Sequence, residues 1–151
     1  MSARAILIVG YGNELRGDDG LGPRLVREIR ALNLPEVHCV EAHQLLPELA
    51  LELAAHDAVL FVDAIQVDAD APVQKIPLTP LTPAAAFTGP HVSDPAGLLA
   101  LTRDLYQKCP TAWLVAIPGT QFNFSDSLSP QAETAVARAV EAVRALIVSF
   151  R

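Results

Sequence analysis

Three short apolar runs that do not alternate, Ala5 to Val9, Ala58 to Val62 and Trp113 to Ile117, constrain this chain more than any other feature. A strand with one wet face alternates polar and apolar residues. A strand rich in Val, Ile and Leu throughout is covered on both faces, as interior strands of a parallel sheet are. A weaker strand is expected over Val37 to Glu41. Another is expected over Val73 to Leu78, where Pro72 and Pro77 argue for a sheet edge, since proline cannot donate to a strand ladder.

Helical spacing fills the gaps between these runs. Leu21, Leu25, Ile29 and Leu32 repeat at helical intervals, with Pro23 tolerable in a first turn. Leu45 to Leu53 reads as a second helix. Asp94-Pro95 and Ser129-Pro130 are each a cap followed by a first-turn proline. The second of these opens a long helix with Ala132, Val136, Ala139, Val143 and Leu146 on one face. Strands alternating with helices imply right-handed βαβ units. The expected fold is α/β, a three-layer α/β/α sandwich on a mostly parallel twisted sheet of about five strands.

A length of 151 residues suits one domain, expected over 1–151, and 51% hydrophobic residues are ample for a core. The stretch from Asp68 to Pro90 holds five of the twelve prolines and reads as an edge strand plus loop. A net charge of −6 without a Lys/Arg run makes nucleic acid and anionic membrane surfaces poor partners. Ile6 to Val9 is too short for a signal peptide, and no apolar stretch is long enough for a membrane helix. Cys39 and Cys109 lack metal or redox spacing. The expected setting is a reducing cytoplasm.

The densest chemical signal runs from Gly10 to Pro23, leaving the first strand and entering the first helix. Leu15 stands where a dinucleotide fingerprint needs its third glycine, and there is no P-loop lysine. Asp18 and Asp19 stand just before the helix, so one of them is expected to cap it. Two adjacent carboxylates exceed what capping needs, and an ionised carboxylate is what a divalent metal requires.

Asp63 follows Phe61-Val62 at the expected carboxyl end of the strongest strand, the edge where open α/β sheets bind ligands. It reads either as a ligand or as a turn residue ahead of Ala64. His91, after Gly89-Pro90 and beside Ser93-Asp94-Pro95, would be held at a rigid helix entrance. Two carboxylates and one imidazole make a three-ligand site with open positions. His38, His43 and His56 read as surface or loop residues, with His43 placed toward the same sheet edge. There is no G-x-S-x-G elbow and no H-E-x-x-H motif.

Gly10-Tyr11-Gly12-Asn13, then Gly17-Asp18-Asp19-Gly20-Leu21-Gly22, resembles the opening of the hydrogenase maturation endopeptidases. Val62-Asp63-Ala64 is similar to that family's strand-end aspartate, His91 to its histidine, and Leu128-Ser129-Pro130 to the start of its last helix. The resemblance spans nearly the whole chain. It implies an aspartyl-type or metal-dependent peptidase that removes the C-terminal extension of a nickel–iron hydrogenase large-subunit precursor after nickel insertion. It carries both the catalytic and the metal-contacting roles onto Asp19, Asp63 and His91. It also implies that nickel is supplied by the substrate, so that the resting enzyme can be metal-free. The chain is expected to act as a monomer on its protein partner. Two loops depart from the family pattern. Glu41-Ala42-His43-Gln44 replaces a Gly-Gly-Thr-like turn, and Pro118 to Phe122 replaces a Gly-Ile-Glu-Pro-like loop. These departures bear on which hydrogenase is served. A non-catalytic metal- or partner-binding module on the same fold, and a nucleotide-binding domain using the glycine loop, are the alternative readings.

Overall fold

The computed structural model describes residues 4–68, 70–80 and 94–151. In chain order these form β1 (Ile6–Tyr11), α1 (Leu21–Arg30), β2 (Val37–Ala42), α2 (Leu49–Ala54), β3 (Ala58–Gln66), β4 (Gln74–Leu78), α3 (Pro95–Tyr106), β5 (Thr111–Gly119) and α4 (Pro130–Ser149), with a single 3-10 turn over Gly17–Gly20 before α1. The five strands make one sheet in the order β2-β1-β3-β5-β4. All pairings are parallel except β4 with β5, which is antiparallel and places the proline-bearing strand at an edge.

The three non-alternating runs are the three central strands, and both of their faces are covered. Ile6, Ile8, Leu60, Val62, Val115 and Ile117 pack under α1 and α4. Leu7, Val9, Val59 and Phe61 pack under α2 and α3 with Leu53, Leu98 and Leu99. Burying a side chain of this size contributes about 1.5–3 kcal/mol, so the sheet is held from two sides by independent layers.

Two boundaries differ from the sequence expectation for identifiable reasons. The second helix starts at Leu49 instead of Leu45, because Pro47 disfavours helical backbone at the residue before it. Leu45 is still buried, in the layer beneath α2 and α3. Strand β3 continues to Gln66, because β5 extends with it through the Gln66–Gly119 pair. Asp63 is therefore not the last residue of its strand. It lies just past Val62, where the pairing of β3 with β1 stops at Gly10.

Helix α4 carries the cap expected of Ser129, whose hydroxyl accepts from Ala132 N at 3.1 Å. Helix α1 lies unusually close to the sheet. A Cβ on Gly22 would stand 2.5 Å from Tyr11 O and 2.6 Å from Val62 O. That approach brings the start of α1, and the turn preceding it, onto the ends of β1 and β3.

Candidate active site

In this strand order the chain leaves β1 toward β2 on one side, through α1, and leaves β3 toward β4 and β5 on the other side. The loops after β1 and β3 therefore diverge and open a crevice at the carboxyl ends of the strands, where ligands bind in sheets of this kind. Tyr11, the 3-10 turn with Asp18 and Asp19, and Asp63 all converge there.

Asp63 is half-buried, and its Oδ1 accepts from Ala64 N at 2.8 Å. Burial pushes its pKa up to about 6, with a further rise from the Asp19 charge; the bonds from Ala64 N–H and from the Tyr11 hydroxyl offset only part of this. The Tyr11 phenol is itself raised well above its ordinary value, first by burial, then by the charges and bond of Asp63, and further by Asp94 and Asp19. Three carboxylates thus share one electrostatic neighbourhood around a single phenol. Tyr11 was not singled out by sequence reasoning. The available signal was register: Leu7, Val9 and Tyr11 share a face with Val59, Phe61 and Asp63, and the pairing ends one residue short of setting Tyr11 beside Asp63.

The adjacent acids have separate functions, and neither caps α1, whose N-cap is Gly20 without a side-chain bond. Asp18 is fully buried. Its Oδ1 accepts from Ser129 N at 2.7 Å, and its Oδ2 accepts from Thr120 N at 2.8 Å, Gln121 N at 3.0 Å and the Ser129 hydroxyl at 2.8 Å. Burial alone would raise its pKa, but these donors win and hold the carboxyl below its ordinary value. Asp18 ties the turn after β1 to the loop after β5 and to the start of α4. The expected capping role is corrected on this point: the donors that satisfy Asp18 come from more than a hundred residues away, so local spacing could not reveal them.

Asp19 Oδ2 accepts from Asn13 N at 2.7 Å, which leaves Oδ1 for other contacts. Gly12 makes this possible. Its φ of +149° lies in a region L side chains rarely adopt, and a Cβ there would collide with the Asp19 carbonyl. His91 lies outside the described residues, as does the rest of 81–93. Asp94, three residues after His91, is the N-cap residue of α3 and acts electrostatically on Tyr11, so the chain enters α3 beside this rim.

Next to the rim a groove of about 340 Å³ runs between the loop after β1 and the end of β2, lined by Gly12, Asn13, Leu15 and His43 among others. Arg27 braces it, with Nη1 2.7 Å from Glu14 and 2.8 Å from Glu41. His43 therefore borders the crevice, as its position after β2 implied. Cys39 and Cys109 are free thiols whose pKa values burial raises, so neither is an activated nucleophile. Among the described residues, no helix is long and apolar enough to cross a membrane.

The arrangement joins one carboxyl with elevated proton affinity, one carboxylate with an oxygen left uncommitted among the described residues, and a phenol bonded to the first, beside an open groove. It can exchange a proton near neutral pH or supply oxygen ligands to a cation. Comparison with known proteins points the same way. A protein of Methanocaldococcus jannaschii, provisionally named a hydrogenase maturation protease, is 29% identical over 150 residues, covering 95% of this chain and 96% of its own. The maturating endopeptidase HybD of E. coli superposes with a TM-score of 0.73 at 26% identity, over 96% of this chain and 93% of that one. A hydrogenase 2 maturation peptidase from Thaumarchaeota archaeon SCGC_AB-539-E09 superposes at 0.66 with 25% identity, over 95% and 98%. No protein-family model matches the chain.

Proposed function

We propose that the chain is a hydrogenase maturation endopeptidase, like the proteins it resembles over nearly its whole length, and that it removes the C-terminal extension of a nickel–iron hydrogenase large-subunit precursor. The observation that carries the reading is the meeting of Asp19 and Asp63 at one rim, with Asp63 holding its proton up to about pH 6.

In the proposed mechanism Asp19, Asp63 and His91 contact the nickel that the substrate brings, and the resting enzyme needs no metal of its own. The donor chemistry fits: among the described residues Asp19 Oδ1 is uncommitted, and Asp63 spends Oδ1 on Ala64 N and meets one further donor, the Tyr11 hydroxyl. Carboxylate and imidazole ligands suit a divalent ion of borderline softness. His91 enters this set through the family resemblance and through its place three residues before Asp94.

Contact with the loaded metal aligns the nearby peptide bond against the rim, which converts recognition into positioning. A carboxyl with a pKa of about 6 is suited to act as general base on the attacking water near neutral pH. Tyr11 orients that carboxyl. On this reading cleavage is of the aspartyl type, with the metal acting as a signal that the precursor is loaded. The free thiols of Cys39 and Cys109 are compatible with a reducing cytoplasm.

The test is cleavage of nickel-loaded and nickel-free precursor by the wild-type chain and by Asp19→Ala, Asp63→Ala and His91→Ala. Processing of loaded precursor only, lost in each variant while circular dichroism is unchanged, is the expected result. Wild-type processing by all three variants would remove the basis of the assignment.

A further inference from the structure

We propose that His38, Glu52 and His56 form a second metal site, at the opposite end of the sheet from the catalytic rim, for a divalent first-row transition ion such as zinc or nickel. His38 is the second residue of β2, Glu52 lies in α2, and His56 follows four residues later, just before β3. One ligand atom from each residue can be chosen so that all lie within 4.8 Å of one another. The two imidazole rings stack at 5.4 Å between centroids, and His38 Nδ1 is 3.7 Å from Glu52 Oε2.

The orientation of His56 is what distinguishes this cluster from a chance meeting of polar groups. Its Nδ1 lies 2.6 Å from the Glu52 backbone carbonyl. A carbonyl can only accept, so Nδ1 carries the proton and Nε2 presents its lone pair. A backbone carbonyl that fixes tautomer and ring in this way is the usual support of a metal-ligating histidine. The 3.7 Å between His38 and Glu52 is too long for a hydrogen bond but close to the edge of a ligand polyhedron with bonds of about 2 Å. The side chains of His38 and Glu52 are 55% and 46% exposed, so small rotations can close the set and solvent can reach it.

Two imidazoles and one carboxylate select zinc, nickel or copper over calcium and magnesium, and three protein ligands leave a position open. The site is independent of the rim. His56 and Asp63 are seven residues apart along an extended segment, on the order of 20 Å, so loss of one site does not entail loss of the other.

Zinc titration of the full chain, by calorimetry and by long-range 1H–15N NMR of the imidazoles, tests the proposal. In an Asp19→Asn/Asp63→Asn chain, one equivalent of zinc is expected to bind and to shift the ring nitrogens of His38 and His56 while leaving His43 in place. Since removing a mere supporting group costs about 10–100-fold in metal affinity, His38→Gln or His56→Gln should weaken binding by at least about tenfold. Zinc affinity unchanged in both variants, or unmoved His38 and His56 resonances under saturating zinc in the otherwise unaltered chain, would overturn it.

Discussion

Replacing Asp63 with asparagine should make the protein more stable at neutral pH while removing its activity. Burial raises the Asp63 pKa from 3.8 to about 6. A carboxyl whose folded pKa is raised contributes stability that is fully present below the unfolded value, near 4, and is lost as pH rises through the folded value, near 6. Above pH 7 the folded chain therefore carries an ionised group it would prefer protonated. At about 1.4 kcal/mol per pH unit the cost approaches 3 kcal/mol, and partial exposure of the group trims it to about 2 kcal/mol. Asparagine keeps an acceptor for Ala64 N–H and a polar amide beside the Tyr11 hydroxyl but carries no charge. For a domain of this size the gain corresponds to a rise of roughly 4–8 °C in Tm. The assay is urea unfolding of both chains in the presence of a chelator from pH 4.5 to 8. The difference between the chains matters, because acid loss of the Asp18 contribution occurs in both and cancels. The variant's advantage should be small at pH 4.5, grow through pH 6 and level off above 7. A wild-type chain at least as stable as the variant at pH 7.5, or an advantage that does not change with pH, would refute the claim that desolvation dominates at Asp63.

The same substitution at Asp18 should act in the opposite direction. Asp18→Asn turns an amide NH2 toward backbone N–H groups whichever way it is rotated, since both carboxylate oxygens accept, and should cost about 3–5 kcal/mol by urea unfolding. Because the Asp18 pKa is lowered in the fold, its contribution is present above the unfolded value near 4 and should fade as pH falls below it, which acid titration of the wild-type chain can follow. Tyr11→Phe removes a bond that lowers the Asp63 pKa, so the acid limb of the processing rate should move to higher pH while the fold persists. Gly22→Ala sets a methyl group against the Tyr11 and Val62 carbonyls and should lower both Tm and processing, since α1 must retreat from the rim.

How much of this was legible in the sequence depended on how local the cause was. The central strands showed plainly, because covering both faces of a strand demands an unbroken apolar run, and Pro77 correctly marked β4 as an edge. The start of α2 was missed because helical spacing outweighed Pro47 in the reading. The end of β3 was missed because its last four residues are held by pairing with β5, which no segment of β3 announces. Asp19 and Asp63 were legible as acids at a sheet edge, because the carboxyl ends of parallel strands are poor places for charge without a use. Tyr11 was not, because its role follows from register with a strand about fifty residues away.

Asp18, Asp19 and Asp63 show why residue type and spacing alone cannot assign a role to a carboxylate. The three are chemically equivalent, and two are neighbours in the chain. They differ in how many donors the fold delivers. Asp18 receives four and is drawn fully inside, where its charge is satisfied and useful only to the fold. Asp63 receives two while half-buried, too few to offset desolvation, and its charge remains costly until something cationic arrives. Asp19 receives Asn13 N–H and keeps one oxygen uncommitted. An unmet electrostatic demand persists in a folded protein only where the rest of the structure enforces it, here through the close packing of Gly22 and the Asp18 bonds that anchor the turn. The buried Asp18 thus anchors the turn that sets Asp19 near Asp63, and the Asp63 carboxylate is the one a loaded substrate would relieve.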